Sequence, residues 1–145
     1  MRYLDRLQPL ALLALRVTLG IIMIGHGYGK VFHGGLAQHV HRVSSLGLPG
    51  WLAYFSSFAE FFGGILVIAG LFTRFFALAI LIDLLVAIWK VHWKIGLLAK
   101  GGYEFPLSLA TIAFALIFLG AGPFAIDAIH RGGGGPSKSS RPKKT

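Results

Sequence analysis

The chain has 145 residues, of which 55% are apolar and only 13% are charged, and its mean hydropathy is +0.72. Soluble domains carry about 25% charged residues, so this composition excludes a water-soluble globule and indicates a small integral membrane protein. The 14 basic residues form no stripe interleaved with exposed aromatics, which disfavours nucleic acid, and the absence of cysteine excludes disulfides and thiolate chemistry.

Four apolar stretches follow one another along the chain, and each approaches the roughly 20 residues that a helix needs to cross a bilayer. They predict transmembrane helices over about 10–32, 51–72, 75–91 and 105–129. The first stretch lacks the small-residue cleavage site of a signal peptide, so we expect a retained helix. The predicted fold is therefore all-α, a polytopic four-helix membrane bundle within a single domain over residues 1–131.

Basic residues are distributed unevenly between the two ends of this bundle. Eight lie at the end that carries both termini and the second turn, and five lie at the other end. Because basic residues favour the cytoplasmic side, we predict cytoplasmic termini, location in the cell inner membrane, and contact with the lipid bilayer. Residues 132–145, rich in glycine, proline and lysine, are expected to form a flexible basic cytoplasmic tail.

Two charged residues, Arg16 and Asp83, fall inside the first and third apolar stretches. A lipid-facing charge at a helix centre costs about 2.5–3.5 kcal/mol, so both should turn inward. Asp83 lies somewhat higher than Arg16 on a helix that runs the same way, and an arginine stem can bridge the offset. We predict a buried Arg16–Asp83 ion pair that fixes helix register, since such pairs are often retained for specificity.

A second group of polar residues is predicted to converge on the outer half of the bundle. Its members share depth within the predicted helices, and the group comprises His26, Lys30, Glu60, Lys90, His92 and Glu104. Imidazole, ammonium and carboxyl groups around one cavity can bind a polar headgroup and move protons. We expect His26 and Glu60 to be catalytic, and Lys30, His92 and Glu104 to bind substrate. Interhelical salt bridges and snorkelling lysines give the same pattern, and Lys90 is interpreted in that way.

Smaller signals complete the sequence pattern. Gly25-x-x-x-Gly29 predicts close helix packing within the chain, and Glu104, Ser108 and Thr111 form a polar stripe that we expect to face inward. No metal site is expected, because His39 and His41 do not share a helical face. A bis-histidine haem between His26 and His92 has the right geometry but is disfavoured, because packing histidines look the same in one sequence.

An ordered set of short motifs over about residues 10–130 resembles the DoxX family. The matching segments are Arg16-x-x-x-Gly20, Gly25-His26-Gly27-Tyr28-Gly29-Lys30, Gly47-Leu48-Pro49, Glu60-x-x-Gly63-Gly64, Gly70-Leu71-Phe72-Thr73-Arg74, Glu104, and Gly120-Ala121-Gly122-Pro123 with Asp127. The resemblance implies a four-helix bacterial or archaeal membrane protein similar to the DoxD membrane subunit of a thiosulfate:quinone oxidoreductase. Carried over by position, the polar set of the family is Arg16, His26, Lys30, Glu60, Arg74, Glu104 and Asp127.

The leading functional prediction is a membrane subunit of a quinone-linked oxidoreductase, with quinone as the cofactor or substrate and with soluble or membrane redox subunits as partners. The resemblance supplies the reaction class, and the buried polar residues supply the site. A non-catalytic anchor for soluble redox enzymes is the alternative. A small-solute or proton transporter is disfavoured because no inverted repeat is evident, although assembly as a homo-oligomer would compensate for the small number of helices.

Overall fold

The computed structural model of the protein describes residues 6–132, and within this range all regular structure is helical. The α-helices are α1 (Gln8–Val31), α2 (Gly35–Ser45), α3 (Leu52–Ala69), α4 (Thr73–Ala87), α5 (Glu104–Leu119) and α6 (Ile126–Gly132), and a π-helical turn (Ile88–His92) continues α4. The all-α prediction is confirmed for the described residues. The predicted tail over 132–145 lies outside them, apart from its first residue.

Three of the helical segments are long and apolar enough to cross a membrane, namely Gln8–Val31, Leu52–Ala69 and Thr73–His92. The fourth apolar helix, α5, has 16 residues and a length of about 24 Å. Large apolar side chains cover the outside of the described molecule, and Phe75, Trp89 and Phe118 are each more than 60% exposed. Such a surface is stable in lipid rather than in water, so the chain is that of a multi-pass membrane protein.

The prediction of one continuous fourth helix over 105–129 is wrong in its second half. α5 ends at Leu119, and a break separates it from α6. Gly120 has φ 74° and ψ −165°, a conformation that only glycine adopts readily. Gly122 also has a positive φ and is followed by Pro123, which cannot continue a helix. Hydropathy does not detect such breaks, because the Gly-Ala-Gly-Pro segment is itself apolar.

The four long helices enclose one apolar core. α1 and α4 do not lie side by side, and each packs against both α3 and α5. All four helices contribute buried side chains, which include Leu19, Met23, Val67, Ile80, Leu84, Leu109, Ala113 and Leu116. This arrangement leaves a space near the α2 end of the bundle, where the polar residues lie.

The contact between α1 and α3 depends on glycines, though not on all of those expected. A Cβ on Gly20 would lie 2.6 Å from the carbonyl oxygen of Gly64, and a Cβ on Gly27 would lie 2.5 Å from the backbone nitrogen of Phe61. Only residues without side chains permit such an approach. A Cβ on Gly25 or on Gly29 would meet no atom within 4 Å, so the prediction that these two glycines pack within the chain is wrong.

Asp127 stabilises the end of the bundle that is opposite to α2. Its two carboxylate oxygens accept hydrogen bonds from the backbone N–H groups of Phe72 (3.0 Å) and Thr73 (3.2 Å), and its own N–H donates to the carbonyl of Gly70 (2.9 Å). A carboxylate at the first residues of α4 satisfies donors that the helix leaves unpaired. Asp127 therefore acts as a cap supplied from 55 residues away in the sequence.

Candidate functional site

A pocket of about 470 Å³ opens between α1, α2, α3, the end of α4 and the start of α5. Most of its wall is apolar, from residues such as Met23, Phe55, Leu84 and Phe105. The polar and charged residues that line it are His26, Lys30, His39, Arg42, Ser56, Glu60, Asp83, Lys90 and His92. The pocket therefore combines an apolar wall with a few convergent polar groups, which is typical of small-molecule sites.

Lys30 and Glu60 form an ion pair inside this pocket. The Lys30 Nζ lies 2.7 Å from Glu60 Oε1, to which it donates a hydrogen bond, and 2.6 Å from Oε2. The Glu60 side chain is 10% exposed and that of Lys30 is 25% exposed, so the pair is largely removed from solvent. The predicted convergence of these two residues is thus seen in the structure. Their ammonium and carboxylate are held close together where the local dielectric is low.

Asp83 lies beside Glu60, within hydrogen-bonding reach of both Glu60 and Ser56. The hairpin of α3 and α4 explains this position. Glu60 lies ten residues before Gly70 at the end of α3, and Asp83 lies ten residues after Thr73 at the start of α4. At 1.5 Å per residue, both carboxyls lie about 15 Å from the same turn. The two carboxyls therefore share one depth and one cluster with Lys30.

The predicted Arg16–Asp83 pair is consequently not formed. Arg16 is 1% exposed, and its guanidinium donates to the carbonyls of Val67 (2.9 Å), Ile68 (2.5 Å), Ala121 (2.8 Å) and Phe124 (2.7 Å). These carbonyls lie near the α3–α4 turn, about 10 Å along the axis from the depth of Asp83. Gly70 leaves room for the guanidinium, because a Cβ there would lie 2.5 Å from Arg16 Nη2. Arg16 therefore joins α1 to α3 and to the segment after α5.

Glu104 does not join the pocket. It is exposed at the start of α5 and is absent from the pocket wall. The stripe that it was predicted to form with Ser108 and Thr111 faces outward, and both hydroxyls donate to backbone carbonyls one turn earlier on α5. That local bond satisfies a hydroxyl on a lipid-facing surface. The inward face of α5 is instead apolar, with Pro106, Leu109 and Ala113.

His26 and His92 both line the pocket, in different surroundings. His26 is exposed on α1, with its ring centroid 6.1 Å from that of Phe105. His92 ends the π-helical turn, and its Nδ1 lies 2.7 Å from the carbonyl oxygen of Gly101. A carbonyl can only accept, so Nδ1 carries the hydrogen and Nε2 of the neutral ring is a proton acceptor. π-helical turns frequently occur at functional sites.

Sequence reasoning did not name His39 and Arg42 as site residues, although α2 brings both to the pocket. The signal was available, since the loop of about 20 residues between the first two predicted helices was too long to be a simple turn. Burial, with the charges of Lys30 and Arg42, lowers the pKa of His39 from 6.5 to about 4. His39 is therefore neutral at pH 7.

Comparison with known proteins identifies the family of this chain. The sequence model of the DoxX family matches residues 11–93, which include Lys30, Glu60, Asp83 and His92. The chain is 33% identical over 123 residues to the protein named "Putative oxidoreductase CatD" of Bacillus subtilis (strain 168). This match covers 83% of the chain and 90% of that relative. No solved structure matches the chain significantly.

Proposed function

This chain belongs to the DoxX family, and we propose that it is a membrane subunit of a quinone-linked oxidoreductase that binds a quinone headgroup or a small polar substrate in its pocket. The observation that carries this proposal is the cluster of Lys30, Glu60 and Asp83 within a pocket whose wall is mostly apolar. Ionisable groups within membrane helices are expensive and mark functional sites by default. The name of the Bacillus subtilis relative supports the reaction class.

The residues of the pocket fit a quinone headgroup. At about 470 Å³ the pocket is within the 300–1,000 Å³ range of small-molecule sites. Its apolar wall suits a ring and an isoprenoid tail, and the Lys30 ammonium can donate to a carbonyl oxygen. A bound quinone supplies two-electron, two-proton redox chemistry. The chain must then position the headgroup and handle the protons.

Charge balance explains how the cluster can handle a proton. One ammonium faces two carboxyls, so the three side chains reach neutrality when Glu60 and Asp83 together hold one proton. That proton can pass to or from a ligand oxygen beside Glu60. His26 and His92 line the same pocket, and their ring nitrogens could carry the proton between the cluster and solvent. Lys30 would hold the ligand oxygen and stabilise negative charge on it.

The proposal includes a topology. All four long helices cross the inner membrane, with α5 assisted by the apolar segment after it, and both termini lie in the cytoplasm. Arg6 and Arg74 are at the cytoplasmic end, while Arg42, Lys90 and Lys94 are at the outer end. The pocket is then in the outer half of the membrane. The proposal also includes soluble or membrane redox partner subunits, which would exchange electrons with the bound ligand.

Titration of the purified protein with a short-chain quinone tests this proposal. Glu60→Gln removes the charge partner of Lys30, and Glu104→Gln is a matched control that makes the same change outside the pocket. We expect Glu60→Gln to weaken quinone binding about tenfold or more. Glu104→Gln should bind like the wild type, because its carboxylate does not face the pocket.

Thermal unfolding without ligand shows whether each variant is folded before binding is compared. Equal binding by folded Glu60→Gln and wild-type proteins would contradict a ligand site at this cluster. In that case the alternative of a non-catalytic anchor for soluble redox enzymes gains support.

A further inference from the structure

α2 forms one wall of the pocket and is held there by its two connections. The turn from α1 places His33 and Gly34 in the left-handed region, with φ 62° and 72°. The chain at Gly35 passes so close to Gly29 that a Cβ there would overlap the Gly29 carbonyl oxygen. At its other end, Val43 is buried and Leu46, the residue after α2, lines the pocket beside it. The position of α2 is thus set by tight backbone contacts.

His39 has an unused polar atom beside the pocket. Its Nε2 is buried, and it is bonded to no group among the described residues. Buried polar atoms in folded proteins are nearly always hydrogen-bonded, and an exception requires a reason. His39 lines the same pocket as Lys30 and Glu60, so a turn of its ring about the Cβ–Cγ bond would bring this atom to a ligand there. Its lowered pKa keeps the ring neutral and able to donate a hydrogen bond without a charge.

Arg42 is three residues after His39 and lines the pocket as well, so the two share one face of α2. Arg42 makes no ion pair within residues 6–129. Lys90 also lines the pocket, whereas both of its acidic residues lie beside Lys30. The α2 side of the pocket is therefore rich in donors and positive charge, which favours a ligand with an acceptor oxygen.

We propose that α2 selects the ligand of this pocket, with His39 Nε2 and the Arg42 guanidinium binding an acceptor oxygen of the ligand, in carbonyl or ionised form, on the α2 side of the pocket. This inference rests on the proposed function, which places the ligand against Lys30 and Glu60. It adds a second polar contact to the ligand, made from α2. A ligand with two oxygens on a flat ring can satisfy both contacts.

Two naphthoquinones test the inference, namely 2-methyl-1,4-naphthoquinone, which is neutral, and 2-hydroxy-1,4-naphthoquinone, which is ionised at neutral pH. We expect His39→Leu to weaken binding of both probes about 3- to 10-fold. His39→Gln should stay within about twofold of the wild type, because an amide can also donate there. Arg42→Gln should weaken the ionised probe about tenfold and the neutral probe less. His41→Leu, on the exposed face of the same helix, is the matched control.

The outcomes separate this inference from the proposed function. If Glu60→Gln loses binding while His39→Leu and Arg42→Gln bind like the wild type, the role of α2 is wrong and the proposed function stands. If the α2 variants lose binding while Glu60→Gln retains it, the inference stands and the site proposed at Glu60 is wrong. Wild-type protein that binds neither probe contradicts both. A loss in His41→Leu equal to that in His39→Leu contradicts the inference, because that ring is outside the pocket.

Discussion

Two cations of α1, Arg16 and Lys30, are satisfied in different ways. Arg16 donates to four backbone carbonyls, a set of partners that cannot leave without unfolding. Lys30 pairs with the side chain of Glu60 at the wall of a pocket. The four carbonyls engage four of the five N–H donors of the guanidinium, whereas a side-chain pair can exchange partners with a ligand. At the scale of single residues, this contrast separates a cation fixed by the backbone from one that we propose to bind ligand.

The four carbonyls make Arg16 a stability residue that is independent of Asp83. Arg16→Met leaves four acceptors without their charged donor, and we expect a loss of about 3–5 kcal/mol in the free energy of unfolding. Because Arg16 and Asp83 share no partner, the double variant with Asp83→Asn should be additive within about 0.5 kcal/mol. Unfolding in detergent titrated with SDS measures both. A double variant more stable than Arg16→Met alone would show that Arg16 and Asp83 do form an ion pair.

His39 predicts a pH dependence of stability. Its pKa is about 4 in the folded protein and 6.5 in the unfolded chain, so the unfolded state binds the proton first as pH falls. Stability from this group is therefore fully present above pH 6.5 and is lost between pH 6.5 and about 4. The difference in melting temperature between about pH 7 and about pH 5 should be smaller in His39→Gln than in the wild type. An equal difference in both proteins would contradict the burial of His39.

At the scale of the helix, hydropathy located the long elements well, because each lipid-spanning segment is a continuous apolar window. It failed at α5, where Gly120 and Gly122 end the helix through backbone conformation rather than polarity. Depth along the helices predicted that Lys30 and Glu60 converge. It paired Asp83 with the wrong residue, because the long reach of an arginine was weighed above the symmetry of the α3–α4 hairpin. The length of the loop after the first helix indicated an element there, but hydropathy does not contain the turn geometry that sets the position of α2.

The contact between α1 and α3 gives a matched pair of glycine substitutions. Gly27→Ala places a methyl 2.5 Å from the backbone nitrogen of Phe61, whereas Gly25→Ala meets no atom within 4 Å. We expect Gly27→Ala to reduce the free energy of unfolding by about 1–3 kcal/mol through overpacking. Gly25→Ala should leave it unchanged or raise it by up to about 1 kcal/mol, because alanine favours helix. SDS unfolding compares the two, and equal losses would contradict this register of α1 on α3.

At the scale of the whole molecule, the described chain is a thin bundle with a well-packed core at one end and a polar pocket at the other. The packed end contains Arg16, Gly70 and Asp127, which hold four segments together through hydrogen bonds to backbone groups. The pocket end contains ionisable side chains and α2. A packed end and a polar pocket end in one small bundle suit the proposed subunit, which would hold a ligand for a partner.

The proposed topology places these two ends on opposite sides of the membrane. Single cysteines at Leu7 and at Ser44, both exposed, report the packed end and the pocket end. In intact cells an impermeant maleimide should label the Ser44 site, and it should label the Leu7 site only after the membrane is opened. A cysteine at the fully buried Ala113 is the unlabelled control. Labelling of both exposed sites in intact cells, or of Leu7 alone, would overturn the topology.

The central claim is that the cluster of Lys30, Glu60 and Asp83 holds a quinone, and the quinone content of the purified protein tests it most directly. Organic extraction and mass spectrometry give moles of quinone per mole of protein, and the visible spectrum of the same sample reports haem. We predict near-stoichiometric quinone in the wild type and in Glu104→Gln, and about a tenfold loss in folded Glu60→Gln. Quinone no higher than in an unrelated membrane protein, or equal in all three proteins, would contradict the claim.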